Sequence, residues 1–498
     1  MSYNLTLDED GVTATAYAVG ADGSHRNLAA EALNWSTSDA EIVSVDAQGR
    51  LDFHDEGAAV LTAKYGSLEA SVPVTVTAGG IQELVVWGDV SDGVRSTAPI
   101  IAEPTGQLTG LKAVIPNWRA FAALRGDGSV LSWGSTSYGG DSSAVAARLT
   151  NVRTVYANTN AFAALRRDGA VVTWGHTGDG GDSSAVADRL VGVKAIYASD
   201  YAFAALRKDG VVVTWGHEEN GGNSSAVASR LVDVKAVYPG PFAFVALRND
   251  GTVVTWGDPT TTGNYGGDSS AVAAQLVGVK TVFASEGAFA ALREDGRVVT
   301  WGSSIGGSDS SMVADKLTDV KTIFSTLSAF AALRQDGSLV VWGRETRGGD
   351  SSAVASRLTK VSTVAATLTA FAALREDGSV VTWGNPAEGG DSSTVASQLV
   401  DVKAVYGAGD AFAALRKDGT VVTWGDARHG GDSSAVASQL THVRKIYATD
   451  KAFAALREDG SVVTWGLAAG GGDSRTVAGR LTGVKKIYAT GHAFAAAK

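Results

Sequence analysis

Carboxylates beside hydroxyls recur along this chain, in the run Gly-Gly-Asp-Ser-Ser around Asp141, Asp182, Asp268, Asp350, Asp391 and Asp432, with a variant run at Asp473. Acidic groups repeated on one face could hold calcium, which takes about 6–8 oxygen ligands. Each run offers one carboxylate and two hydroxyls, so a capping or turn role is the expectation. Four of the seven histidines (His176, His217, His429 and His492) fall in stretches that vary along the chain. A zinc site needs three or four ligands converging on one point, and these lie far apart in sequence. No metal site is assigned. Asp-Gly pairs at Asp168, Asp209, Asp250 and Asp295 read as turn chemistry. The chain has no Gly-Lys-Ser/Thr phosphate loop, no His-Glu-x-x-His helix and no Gly-x-Ser-x-Gly elbow. Its acids are too scattered for the close carboxylate pair of a glycan hydrolase. The expectation is a protein that binds, without catalysis and without a cofactor.

The elements that would position these groups are set by a repeat. Trp-Gly recurs at Trp87, Trp133, Trp174, Trp215, Trp256, Trp301, Trp342, Trp383, Trp424 and Trp465, and seven of the nine intervals are 41 residues. A fixed period of this size indicates a solenoid or a propeller, because one unit cannot bury its own face. In the unit that opens at Val193, VKAIYA predicts a strand, AFAALR a second, and VVVTWG a third after the Asp209-Gly210 turn. The following GGNSSAVASRL is open between a short helix or irregular crossover and an outer strand. The repeated Trp reads as packing between sheets.

The array starts with a third strand that has no first or second before it (IQELVVWG) and ends with a first and second that lack a third (KKIYATGHAFAAAK). Joining them leaves no raw sheet edge. The expectation is all-β: a closed β-propeller of ten blades of about 41 residues over 79–498, completed by strand complementation, with two smaller rings as the alternative. Residues 1–78 alternate apolar and polar positions between glycine turns, which predicts a small β-sandwich.

Comparing units with one another exposes two variable stretches, one between the first and second strands and one after Trp-Gly. In a meander both fall at the same end, while the uniform Asp-Gly turns share the other. Rigid scaffolds display binding surfaces on such loops. The aromatic and arginine members are the candidate ligand-binding residues: Trp118, Tyr138, Tyr201, Phe242, Tyr265, Arg344, Arg347 and Arg428.

The pattern A-F-A-A-L-R-x-D-G-x-V-V-x-W-G followed by Gly-Gly resembles the regulator of chromosome condensation repeat family over roughly residues 80–498. Units of 41 residues are shorter than the family's, and ten replace the usual seven. Some members are nucleotide-exchange factors for small GTPases. Their functional residues lie outside the repeat motif, so none is carried over. The run WSTSD…VSVDAQGRL, then GAAVLTAKYG, is similar to a group 2 bacterial immunoglobulin-like domain, which implies a spacer or adhesive module.

A net charge of −10 argues against a nucleic-acid partner. No apolar run reaches the roughly 18 residues of a membrane helix, so no membrane insertion is expected. There is no cysteine, which excludes a disulfide framework and leaves the redox compartment open. The N-terminus shows no signal peptide. The first expectation is therefore an extracellular or cell-surface bacterial binding or toxin-associated protein, exported by another route or part of a larger polypeptide or complex, with a surface glycan or protein receptor as partner. The alternative is a secreted effector that acts on a host small GTPase as an exchange factor.

Overall fold

In a computed structural model the described residues are 110–258 and 265–498, preceded by residues 83–88 and 100–101 and by the strands between residues 2 and 76. The chain divides into two compact units, Met1–Gly80 and Ile81–Lys498. Among the described residues the first unit contains two three-stranded sheets and one two-stranded sheet, all antiparallel where paired. The glycine boundary at Ala78-Gly79-Gly80 lies outside the described residues.

The second unit is all-β and consists of repeated three-stranded sheets, as in a β-propeller. In the third sheet the inner strand Val193–Ala198, the middle strand Ala202–Arg207 and the outer strand Val212–Gly216 pair antiparallel in that order. Eight other sheets copy this meander, from Leu111–Ser135 to Val443–Gly466. The tenth sheet takes its inner and middle strands from Lys486–Ala489 and Ala493–Ala497, and its outer strand from Leu84–Gly88, with Phe494 opposite Trp87. The first sheet has one strand more than its sequence suggests: Ile100–Ile101 pairs with the edge of Val130–Ser135.

The middle strand explains how the sheets stack. Its alternation sends Ala161, Ala163 and Leu165 to one face and Phe162 and Ala164 to the other. Phe162 lies opposite Trp174 in the ladder, and the two rings stack with centroids 5.2 Å apart. This aromatic face packs against Ala120, Ala122 and Leu124 of the preceding sheet, while the alanine face receives Phe203 and Trp215 of the following one. Small residues make room for large ones, so both faces are buried. The same exchange joins each sheet to the next, and the alanine face of the tenth (Ala493, Ala495, Ala497) packs with Phe121 and Trp133 of the first.

Nine of the ten interfaces also carry a directional bond, Trp133 Nε1 alone lacking a partner among the described residues. Trp215 Nε1 donates to Gly180 O of the preceding unit at 3.1 Å, and Trp87 makes the equivalent bond to Gly471 O at 3.0 Å. Glycine is strongly favoured at both positions of the pair there, although Ser308 fills the second in the fifth unit. Gly180 has φ +101°, and a Cβ would sit 2.6 Å from the Phe203 ring; one on Gly181 would sit 2.4 Å from Gly175 O.

The segment after Gly-Gly, open between helix and strand in sequence, is a one-to-two-turn 3-10 helix such as Ser184–Arg189. Asp182 starts it, its Oδ1 accepting from the Ser184 N–H at 2.8 Å. That bond and the Ser184 hydroxyl hold the carboxyl below its ordinary range. The recurrent aspartates are thus committed to local turns. The helix ends on a buried leucine, Leu190 in this unit, which fills the gap before the next inner strand.

Candidate functional site

The two variable stretches of a unit are tied together at one end of the sheets. The first residue of the inner-to-middle connection is buried in every unit and polar in eight of the ten, Gly240 and Ala408 being the exceptions. In the second sheet Asn158 Oδ1 accepts from the N–H groups of Asn160 and Ala161, and its Nδ2 donates to Asp179 O, in the stretch after Trp-Gly, at 2.6 Å. Thr449 Oγ1 does the same to Gly470 O at 2.8 Å. The Asp-Gly turns occupy the opposite end of the ladder, Asp209 being paired with Arg207 at 2.7 Å.

Successive connections also bond to one another. The Leu327 N–H donates to Leu368 O, Leu368 to Gly409 O, Gly409 to Asp450 O and Asp450 to Gly491 O, at 2.8–3.1 Å. Thr159 donates to Asp200 O and Asp200 to Pro241 O in the same way. Proline has no N–H, so Pro241 cannot donate onward. These bonds fix the backbone from which varied side chains project. A cavity of about 620 Å³ opens among the connections, with Trp118, Leu327, Leu368 and Asp450 in its lining.

Asp200 and Asp450 occupy the same position of the third and ninth units. Burial raises both carboxyls to about 6, with Glu286 adding for Asp200 and Asp410 for Asp450, where Lys451 opposes. A folded-state value above the ordinary one means the native state binds the extra proton. Stability therefore falls as pH rises from about 4 through about 6 and stays lower above that. Replacing Asp450→Asn is expected to stabilise the chain at pH 7.5 by about 2–3 kcal/mol, the equivalent of a two-unit shift, and to change little at pH 4. Urea midpoints of both proteins at the two pH values test this. An equal effect at both would show that the buried charge is not the cause.

The structure brings three of the sequence candidates together. The Tyr201 and Phe242 rings lie parallel with centroids 6.0 Å apart, and Phe242 meets Tyr265 at 4.9 Å. His217 stands beside Tyr201 at 6.5 Å. All three aromatic side chains are half-buried, so each keeps an open face. Most of the longer loop before Tyr265, residues 259–264, lies outside the described residues. Trp118, 37% exposed, lies at the cavity with His492 edge-on at 4.7 Å. Tyr138 makes no ring contact with these among the described residues and has the Arg119 guanidinium 5.8 Å from its ring centre.

The arginines are dispersed. Arg347 reaches Ser328 Oγ at 3.4 Å and Glu286 at 4.0 Å; Arg344 is exposed at the start of a short 3-10 turn. Arg428 is held by Asp426 at 3.1 Å. His429 pairs with Asp410, and His176 with Asp179, each at 2.7 Å. Among the described residues no three His, Asp or Glu side chains gather as metal ligands. Asp200 and Asp450 escaped the sequence reading because their burial depends on the neighbouring units. Comparing the third residue before each middle-strand Phe would have set them in one column with Trp118 and Leu368.

The site can present aromatic faces, amide groups and carboxyls on a fixed backbone, which suits recognition of a sugar ring or a protein side chain. Among the described residues, no helix is long and apolar enough to cross a membrane. The sequence matches no known family model and no curated protein. Similar solved structures include Prp20p from Saccharomyces cerevisiae, at 15% identity and TM-score 0.33 over 62% of this chain and 82% of that one. Another is the CRINKLY WD40 ectodomain of the Arabidopsis thaliana receptor kinase ACR4, at 16% and 0.29 over 54% and 91%. The computationally designed Ika8 protein gives 14% and 0.29 over 63% and 96%.

Proposed function

We propose that this chain is a non-catalytic binding protein that recognises a glycan or a protein receptor through the end carrying its variable connections. The ten sheets form one closed ring in this reading, supported by the shared tenth sheet and by the unbroken succession of aromatic-into-alanine contacts. The first unit is an immunoglobulin-like spacer, and the setting is extracellular or at a cell surface.

The observation that carries the recognition is the aromatic group Tyr201, Phe242 and Tyr265, assembled from the third and fourth units with open faces on a hydrogen-bonded rim. Interfaces draw most of their affinity from a few such anchors. The purified chain, screened on a glycan array and a receptor panel, is expected to bind. The double variant Tyr201→Ala, Phe242→Ala should lose about 30-fold or more in affinity, since anchors of this kind contribute about 2 kcal/mol or more. The far-UV spectrum should be unchanged, because neither ring is in the sheet core. Binding that survives in the variant would remove this face from the reading. Selective capture of a nucleotide-free small GTPase would replace the reading with that of an exchange factor.

A further inference from the structure

The inner strands carry a charge pattern at the opposite end. The residue after each opening Val or Leu is Lys or Arg in nine of the ten units, from Lys112 and Arg153 in the first two to Arg444 and Lys485 in the last two; Ser362 alone departs. The backbone singles this residue out. In the third sheet Val193 pairs with Arg207 and Ala195 with Leu206, so Lys194 between them is an extra residue with no place in the ladder. The same bulge recurs in every sheet from the first to the ninth. Bulges re-aim a side chain away from the pleat. Lys194, Lys235, Lys280, Lys321 and Lys403 are exposed there, and none forms an ion pair among the described residues.

These positions follow one another from sheet to sheet. Inner strands of successive sheets are neighbours throughout, including the last with the first. Arg444 Nη2 reaches Lys485 O, the same position of the next unit, at 2.9 Å. Lys445 and Lys486 add two more cations, each over a tyrosine ring.

The acids at this end are largely committed. The hairpin aspartates pair with the arginines of their own turns, as Asp377 does with Arg375 at 2.9 Å. Asp319 and Asp401 face Arg334 and Lys417, and Asp233 accepts from Asn249 Nδ2. Glu294, Glu376 and Glu458 remain in the turns. Repulsion among like charges destabilises such an array, and Ser362 indicates that the bulge accepts a neutral residue. A chain with a net charge of −10 nevertheless collects its cations here.

We infer that this circuit of nine cations, seven of them exposed and Lys112 and Arg153 half-buried, is a binding site for a linear polyphosphate anion. Seven of the nine are lysines, point charges on flexible stems that bind phosphate without a fixed pairing geometry, so the site responds to the number of charges on the anion. Neutralising many phosphates releases counterions and makes affinity fall steeply with salt. The inference rests on the cyclic succession of inner strands and is independent of recognition at the variable end.

The test titrates the full chain with fluorescent medium-chain inorganic polyphosphate at several salt concentrations. Tight binding with a steep salt slope is expected, with no competition from monophosphate at equal total phosphate. Lys194→Ser, Lys235→Ser, Lys280→Ser and Lys321→Ser together should weaken binding by roughly tenfold or more and flatten the slope. Ser362→Lys should tighten it. Unaltered thermal unfolding of the quadruple variant would establish that folding is not the cause, while Tyr201→Ala, Phe242→Ala should bind polyphosphate normally. Absence of binding, or binding indifferent to both bulge variants, would overturn the inference. So would tighter binding of an oligo-dT or a polyglutamate of equal charge, which would assign the site to a nucleic acid or an acidic peptide.

Discussion

Oxidation of a Val86→Cys, Ala495→Cys variant is expected to give one intramolecular disulfide and a large rise in stability. The two residues lie directly opposite in the tenth sheet, on the face that meets the first sheet. Facing residues of antiparallel strands are about 4.5 or 5.5 Å apart at Cα, within the span of about 4.4–6.8 Å that a disulfide bridges. The wild-type chain has no cysteine, so a single linkage is possible. The bridge closes a loop of roughly 400 residues, for which chain entropy gives a stabilisation of about 6 kcal/mol as an upper limit. Urea unfolding with and without reductant measures the gain, and faster migration on a non-reducing gel reports the closed chain. Free thiols after oxidation, or linkage between chains, would mean that Leu84–Gly88 does not complete the last sheet.

Adding one methyl group at Gly430 should cost about 3 kcal/mol. Gly430 has φ +101°, where an L side chain is strained by about 1–2 kcal/mol. Its Cβ would lie 2.6 Å from Phe453 Cδ2, inside a packed interface where overfilling costs about 1–3 kcal/mol. Gly430 O also accepts the Trp465 indole N–H at 3.0 Å, so a shifted loop strains that bond as well. Phe453→Ala alone should cost about 3–5 kcal/mol, because its ring is fully buried against Ala411, Ala413 and Trp465. In Gly430→Ala, Phe453→Ala the new methyl enters the space the ring leaves. The double variant should therefore be more stable than the sum of the singles by about 1 kcal/mol or more. Strict additivity in urea unfolding would show that the Gly-Gly loop and the next sheet's phenylalanine are not in contact.

Much of the sheet architecture is legible in the amino-acid order, because a strand's neighbours within a sheet are set locally. The Asp209-Gly210 turn forces Val212–Gly216 back along Ala202–Arg207, and alternation in AFAALR assigns each residue to a face. The two incomplete ends of the array, Trp87 without a partner and Phe494 without its tryptophan, meet in one ladder. The role of Asp182 was legible too, since one carboxylate beside two serines satisfies a turn more readily than a metal. The basic column at the inner bulges is readable by lining the units up, although it has meaning only once the bulge turns those side chains outward.

The rest depends on how sheets 41 residues apart are brought side by side. Sequence period determined the strands, the turns, the buried Phe and Trp, and the end at which the variable stretches emerge. Tertiary structure decided that the Tyr201, Phe242 and Tyr265 rings meet one another while Arg344 and Arg428 lie in other units. It also decided that Asp450 is buried, that Ser184–Arg189 is a 3-10 helix and that Ile100–Ile101 adds a strand to the first sheet. The physical reason is that hydrogen-bond ladders are fixed by adjacent residues, whereas distances between units follow from how closely Phe and Trp of one sheet settle into the alanines of the last.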